Sequence, residues 1–349
     1  MSSIASSVAV ACIALAALAA HADEDGAPRV DAAAVDRAKA EFAERMASKH
    51  GFDAEEVAAT LDGAEIHTRI LETISRPAER VVPWHEYRDI FLTEQRIAAG
   101  AKFWREHAAK IDAASERYGV APEILVAIIG VETFFGERMG SYRVLDALAT
   151  LAFAYPPRAS FFASELEHFM LLSRDEGVDL LDALGSYAGA MGAGQFIPSS
   201  FRAYAVDAND DGRRDLWRDW EDILASVANY FKVHGWRDAQ PVADPAMLSE
   251  SWSGHEPENS LNLNHTVAAL RELGYAFAPE RDGDAKATIL ALEGSDDSSE
   301  YWVGYHNFHV ITRYNRSVKY ALAAHQLSQA ILAEYRRAGE SLAARSDVP

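Results

Sequence analysis

The feature that most restricts this chain is the apolar run Ile124 to Val131, broken by one carboxylate, Glu132, before Phe134 and Phe135. Pro122 suits the first turn of a helix, and Glu123 sits near the positive end of its dipole. The expected helix, from Pro122 to about Phe135, is apolar nearly all round and must therefore be buried. Glu132, near its end, faces two effects of one sign. Desolvation disfavours the charged carboxylate, and the negative end of the helix dipole does the same. A carboxyl kept protonated near neutral pH can act as a general acid. On these residues alone, a structural Glu satisfied by a buried Arg or by backbone amides fits better than a catalytic one. Glu123 and Glu137 read as solvated helix-end charges.

The chain has 349 residues, of which 49% are hydrophobic, enough for a sizeable core in two units or in one domain with a large insertion. Its formal net charge of -20 argues against a nucleic-acid binder, which needs clustered Lys and Arg to displace counterions. Attraction to an anionic polymer likewise cannot come from net charge. Residues 1–22 carry no Asp, Glu, Lys or Arg, and Val8 to Ala20 is too short for a membrane span. This stretch has the length of a signal h-region and ends in Ala20-His21-Ala22, an A-x-A-like cleavage site. The only cysteine, Cys12, lies inside it. Apolar residues continue beyond Cys12 and Ala9 stands three residues before it, which favours a soluble exported protein over a lipoprotein. The mature chain then has no disulfide, no cysteine nucleophile and no cysteine ligand.

Residues 23 to about 85 are charged and Ala-rich, with helical stretches such as Ala32–Ser48. Ile97, Ala101, Trp104, Ala108, Ile111 and Tyr118 lie on one face of an amphipathic helix from Thr93 to Tyr118, which Gly119 stops. Further helices are expected at Ser160–Arg174, Trp220–His234, near Thr266–Leu273, and from Ser317 to about Arg337. Strand-like runs are Ala287–Leu292, Tyr301–Val303 and Phe308–Ile311. The class is α+β and mainly helical.

Gly185 to Ser200 contains four glycines, so its backbone can approach a ligand closely, and Ser186, Tyr187 and Gln195 offer hydrogen bonds. It lacks the spacing of a phosphate loop. A tight turn serving packing alone is the plainer alternative. Several separated motifs now agree in order and spacing. They are Gly130-Val131-Glu132-Thr133, Leu145–Leu151, Ser164-Glu165-Leu166-Glu167, Gly185–Ser200, Ser226–Phe231 with His234-Gly235-Trp236, and Ile311-Thr312-Arg313-Tyr314-Asn315. Together they resemble the family B lytic murein transglycosylases, glycoside hydrolase family 103, from about residue 85 to 337.

The resemblance implies a lysozyme-like catalytic domain with an additional helical and small-sheet region. With the residue-level reading, the chain divides into a signal peptide (1–22), a helical lead-in (23–85), the lysozyme-like catalytic domain with an EF-hand-like loop (86–240) and a C-terminal region completing the groove (241–349). The resemblance implies that Glu132 is the single general acid and base. Glu132 would protonate the oxygen between N-acetylmuramic acid and N-acetylglucosamine, then deprotonate the muramoyl 6-hydroxyl as it closes a 1,6-anhydro ring. Ser186, Gln195, Tyr230, Tyr314 and Asn315 match groove positions, and Arg158 matches a contact to the lactyl or peptide carboxylate. The implied partners are peptidoglycan glycan strands and other cell-wall enzymes, in the periplasm. The chain departs from the family's usual residues at Pro157, Phe161 and His309, which touches stem contacts and sugar affinity rather than the chemistry.

Asp207, Asn209, Asp211 and Asp215 stand at positions 1, 3, 5 and 9 of an EF-hand pattern, with Gly212 at 6 and the Arg213 carbonyl at 7. Position 12 is Arg218, not an acid, and the family's offset last carboxylate points to Asp222. A structural Ca2+ is expected here, against a solvated acidic turn. One imperfect loop does not make a calcium sensor. The competing functions are a hydrolytic muramidase, which needs a second carboxylate to activate water, and a non-catalytic wall-binding scaffold.

Overall fold

The structure, a computed structural model, describes residues 30–75, 82–296 and 298–346. The expected signal peptide and Cys12 lie outside these residues. The N-terminal segment forms α1 (Ala32–His50), α2 (Ala54–Asp62) and α3 (Thr68–Ser75). Asp31 and Asp53 cap α1 and α2 by accepting amides of the first turn, and Gly51 ends α1 in the left-handed region. Both α1 and α3 pack on α8 (Val144–Ala154), so Phe42, Met46 and Ile70 join the main hydrophobic core.

Next come α4 (Trp84–Phe91), α5 (Glu94–Glu106), α6 (Ala108–Tyr118) and α7 (Pro122–Thr133). The single helix expected from Thr93 to Tyr118 is two. His107 leaves helical geometry (φ -118°, ψ 20°), its ring packed against Phe103 and Trp220. Its amide still bonds Phe103 and its carbonyl still accepts from Ile111, which keeps the apolar face continuous across the break. α7 is as expected from its composition. It is contacted by α5, α6, α11 (Trp220–Val233) and α14 (Val318–Ser346), and Ile124 to Gly130 are buried. A helix packed on several sides has no polar face to present.

Two short strands, β1 (Tyr142–Arg143) and β2 (Leu184–Gly185), pair antiparallel with Tyr142 opposite Gly185. Between them lie α8, a 3-10 turn (Pro156–Arg158) and α9 (Ala159–Glu176). After β2 the chain runs through the glycine segment into α10 (Pro198–Tyr204), the acidic loop and α11. The C-terminal part contains β3 (Ala243–Leu248), β4 (His265–Thr266), α12 (Val267–Glu272), β5 (Tyr275–Ala276), β6 (Lys286–Glu293), β7 (Ser299–Gly304) and α13 (His306–Tyr314). The five strands form one antiparallel sheet in the order β4-β6-β7-β3-β5, with its own small core around Val267, Tyr275 and Ile289.

Phe308–Ile311, expected as a strand, lies within α13. Phe308, Ile311 and Tyr314 are buried at a spacing of three, and a four-residue apolar run does not by itself distinguish strand from helix. Among the described residues no helix is long and apolar enough to cross a membrane.

Candidate active site

Glu132 is the next-to-last residue of α7, at the end where carbonyls lack intrahelical partners. The helix is buried to Gly130, but Glu132 itself is only half-buried, so its desolvation is partial rather than the full burial the apolar run implied. Its Oε1 accepts a hydrogen bond of 2.5 Å from the Tyr320 hydroxyl on α14. A second phenol, Tyr87 on α4, is pushed up to about 12, by burial first and then by the negative charge of Glu132. It therefore stays protonated while Glu132 is a carboxylate.

The turn after Glu132 is strained and firmly held. Phe134 and Phe135 adopt φ of 51° and 60°, a region unfavourable to bulky side chains. The Phe134 amide bonds Gly130, the Phe135 amide bonds Ile129, and the Arg138 amide bonds Thr133. Thr133, buried, donates to the Ala193 carbonyl at 2.8 Å and accepts from the Gly136 amide at 3.1 Å. This threonine ties α7 to the glycine segment.

That segment is built from backbone contacts that tolerate no side chain. An added Cβ at Gly140 would lie 2.0 Å from the Gly185 carbonyl oxygen, and one at Gly192 would lie 2.2 Å from that of Leu216. Gln195, with φ 52°, donates from Nε2 to the carbonyls of Met139 (3.1 Å) and Gly192 (3.0 Å). Ser186 Oγ accepts from the amides of Ala188 and Ala190, closing its own turn. Tyr314 donates to the Gly194 carbonyl at 2.5 Å, and Tyr230 donates to the Arg313 carbonyl at 2.6 Å. Both rings are fully buried and meet at 4.9 Å. Asn315, next in the chain, carries a buried Oδ1 with no hydrogen-bond partner, an acceptor left over by the fold.

Gln195, Tyr230 and Tyr314 are thus joined through the glycine segment and each other, and Thr133 ties the helix of Glu132 to the same segment. Asn315 follows Tyr314 in the chain, and Ser186 stands at the start of the same loop. Arg158 is held differently, its guanidinium 4.2 Å from the Phe161 ring. Its charge acts on buried Glu165, which burial pushes up and whose Oε2 accepts the Ser199 amide at 2.9 Å. Tyr320 and Tyr87 were not singled out from the sequence. Each is an isolated tyrosine on a helix, and no local pattern marks it.

In the acidic loop, Asp207 accepts the amides of Asp211 and Gly212, Asn209 accepts that of Asp211, and Asp211 accepts that of Arg213. Asp222, buried at the start of α11, accepts the amides of Ala208 and Asp215. Burial raises its pKa, opposed by those two amides and reinforced by Asp219 and Asp207. The Ala193 amide bonds the Leu216 carbonyl at 2.9 Å, so the end of this loop supports the glycine segment directly. A separate cluster, Glu65, His67 and Asp146, has ligand-like spacing, but Arg143 already holds Asp146 at 2.7 Å.

The sequence signature described as Transglycosylase SLT domain matches residues 34–329. The chain is 41% identical over 302 residues to membrane-bound lytic murein transglycosylase B of Escherichia coli (strain K12), covering 83% of this chain and 81% of that protein. Soluble lytic transglycosylase SltB1 from Pseudomonas aeruginosa superposes with a TM-score of 0.80 at 48% identity, over 84% of this chain and 97% of that one. Escherichia coli lytic transglycosylase Slt35, solved in complex with calcium, gives 0.77 at 40% identity, over 85% and 93%. Fold and site together define a lysozyme-like transglycosylase domain. The chain belongs to the family B lytic murein transglycosylases.

Proposed function

We propose that the chain cleaves the β-1,4 bond between N-acetylmuramic acid and N-acetylglucosamine in peptidoglycan, leaving a 1,6-anhydromuramoyl end. The observation that carries this reading is the setting of Glu132, a half-buried carboxyl at a helix end with the Tyr320 phenol on Oε1. Protonated, Glu132 gives its proton to the leaving glycosidic oxygen. Tyr320 then stabilises the carboxylate and fixes its orientation. The same carboxylate takes the proton of the muramoyl 6-hydroxyl as that oxygen bonds C1. Glu132 ends protonated and no water is consumed.

Asn315 Oδ1 and the Ser186 and Gln195 side chains line the groove, and the Asn315 oxygen suits a sugar hydroxyl or acetamido N–H. Tyr230 and Tyr314 act through the backbone they hold. Arg158 is assigned to a lactyl or stem carboxylate. Residues 86–240 form the catalytic unit and 241–349 complete the groove, which is consistent with Tyr320 reaching Glu132. An N-terminal export segment, 1–22, delivers the chain to the periplasm.

The acidic loop fits Ca2+ by its donor chemistry, an oxygen-only set whose Asx-type bonds already hold the turn. Asp207, Asn209, Asp211, the Arg213 carbonyl, Asp215 and Asp222 would hold the ion, whose role is structural. Mass spectrometry of products released from purified sacculi tests the reaction. Anhydro ends, lighter by one water than hydrolysis products, are expected, and Glu132→Gln abolishes them. Reducing ends would replace this reading with a muramidase, and no release at all with a scaffold.

A further inference from the structure

Beside Glu132 the structure holds a second feature that the cleavage chemistry does not use. From Tyr87, near Glu132, a wall of side chains continues through Phe91, whose ring lies 5.3 Å from that of Tyr87. The Arg96 guanidinium follows, 5.2 Å from the Phe91 and Phe134 ring centroids. Arg138 comes next, 4.9 Å from the Phe134 centroid. Arg96 is only 8% exposed, and its Nε is buried with no hydrogen-bond partner. Its Nη1 donates to the Ile90 carbonyl near the end of α4, a capping role that accounts for one nitrogen but not for Nε or for Arg138. Among the described residues neither guanidinium has a carboxylate ion-pair partner. Burial and the neighbouring charge of Arg138 both push Arg96 below the usual guanidinium value.

A buried cation with an unmet donor, beside a second cation on the same ring, is an arrangement that an anion relieves. The Phe134 ring belongs to the strained turn that ends the Glu132 helix, two residues further along the chain. We propose that Arg96 and Arg138 form a carboxylate subsite for the glycan cleaved at Glu132. It takes the carboxylate of the muramoyl lactyl group or of the peptide attached to it, and it rests on the reaction proposed above. It is distinct from Arg158, which is held over Phe161 and beside Glu165.

The test is calorimetric binding to the full chain carrying Glu132→Gln, so that nothing turns over. Three glycans of equal length are compared: one bearing peptide stems, one with stems removed to leave the lactyl carboxylate, and a neutral N-acetylglucosamine oligomer. Adding Arg138→Ala is expected to weaken the carboxylate-bearing glycans about tenfold, the scale of a lost charge-assisted contact. The neutral oligomer is expected to bind unchanged, and Arg138→Lys to recover part of the loss. A loss confined to the stem-bearing glycan assigns the stem carboxylate. A loss confined to the stem-free glycan assigns the lactyl carboxylate, which is an amide where a stem is attached, and a loss on both assigns a subsite that takes either. Arg96→Gln keeps a donor for Ile90 and should give the same selectivity. Unchanged affinity for all three glycans, or equal loss on the neutral one, overturns the subsite. Sacculus digestion by the chain with Glu132 intact is run alongside. Failure to form anhydro ends there sinks the proposed reaction, while the binding differences judge the subsite alone.

Discussion

Two neighbouring loops, Gly185 to Gln195 and Asp207 to Asp215, achieve order by opposite means. In the first, much of the polar bonding reaches outside the loop: to Thr133, Met139, Tyr314 and the Leu216 carbonyl. Gly192 is there because backbone from the end of the second loop passes where a Cβ would be. In the second, Asp222 of α11 holds the two ends from outside, but the tip is closed by the loop's own Asp207, Asn209 and Asp211, and a Cβ added at Gly212 would meet nothing within 4 Å. One loop is locked by neighbours along its length, the other is organised at its tip around its own acids. A surface that must meet a sugar in a fixed geometry is of the first kind. A loop whose acids can turn to a cation is of the second.

The glycines give the widest contrast. Gly192→Ala puts a methyl 2.2 Å from a backbone oxygen at φ 69° and forces the two loops apart. It is expected to destabilise the fold by about 4 kcal/mol and to remove turnover. Gly212→Ala, at φ 86° in open space, carries only the backbone penalty of about 1 kcal/mol, with activity retained. Urea unfolding and sacculus digestion of the two variants compare them. Equal costs would show that the first loop is not held by its neighbours.

Thr133→Val sharpens the same comparison from the catalytic side. It removes the donor to Ala193 and the acceptor for Gly136, leaving a buried carbonyl and a half-buried amide unmatched around a residue 1% exposed. The expected loss is about 2 kcal/mol of stability, with kcat lowered about tenfold because the loop no longer registers against α7. A variant with lower stability but full kcat would separate the loop's position from the chemistry.

The legibility of these parts in the sequence follows from how local their causes are. Glu132 stood out because one carboxylate interrupts an apolar run, and the acidic loop because its spacing is a local code. The function rested on motifs matched to a family, since the physical reading of Glu132 alone left a structural role open. Tyr320 was invisible. It lies 188 residues from Glu132 and meets it only because α14 packs on α7. Its partnership is a property of helix packing, as is that of Tyr87. His107 was missed because a break that preserves the apolar face leaves the periodicity intact, and Phe308–Ile311 because a short apolar run fits either period.

A smaller effect than that of Thr133→Val concerns the second loop and its ion. At ten times Kd, Ca2+ is expected to stabilise the fold by about 1.4 kcal/mol, the mass-action value for binding to the folded state alone. Asp222 gives this a pH signature. Burial raises its folded pKa above the unfolded value, so in chelator the folded state binds its proton more readily than the unfolded state does. The contribution is then stabilising at low pH and is lost as pH rises through the raised pKa. A cation beside Asp222 favours the carboxylate and reverses that trend. Thermal melts from pH 7 downward, with Ca2+ and with EDTA, are expected to converge as Asp222 protonates, and Asp222→Asn should weaken both the calcium shift and its pH dependence. Identical melts with and without Ca2+ at every pH would return the loop to a solvated acidic turn. Its support of Ala193 through Leu216 would then be the work of the backbone alone.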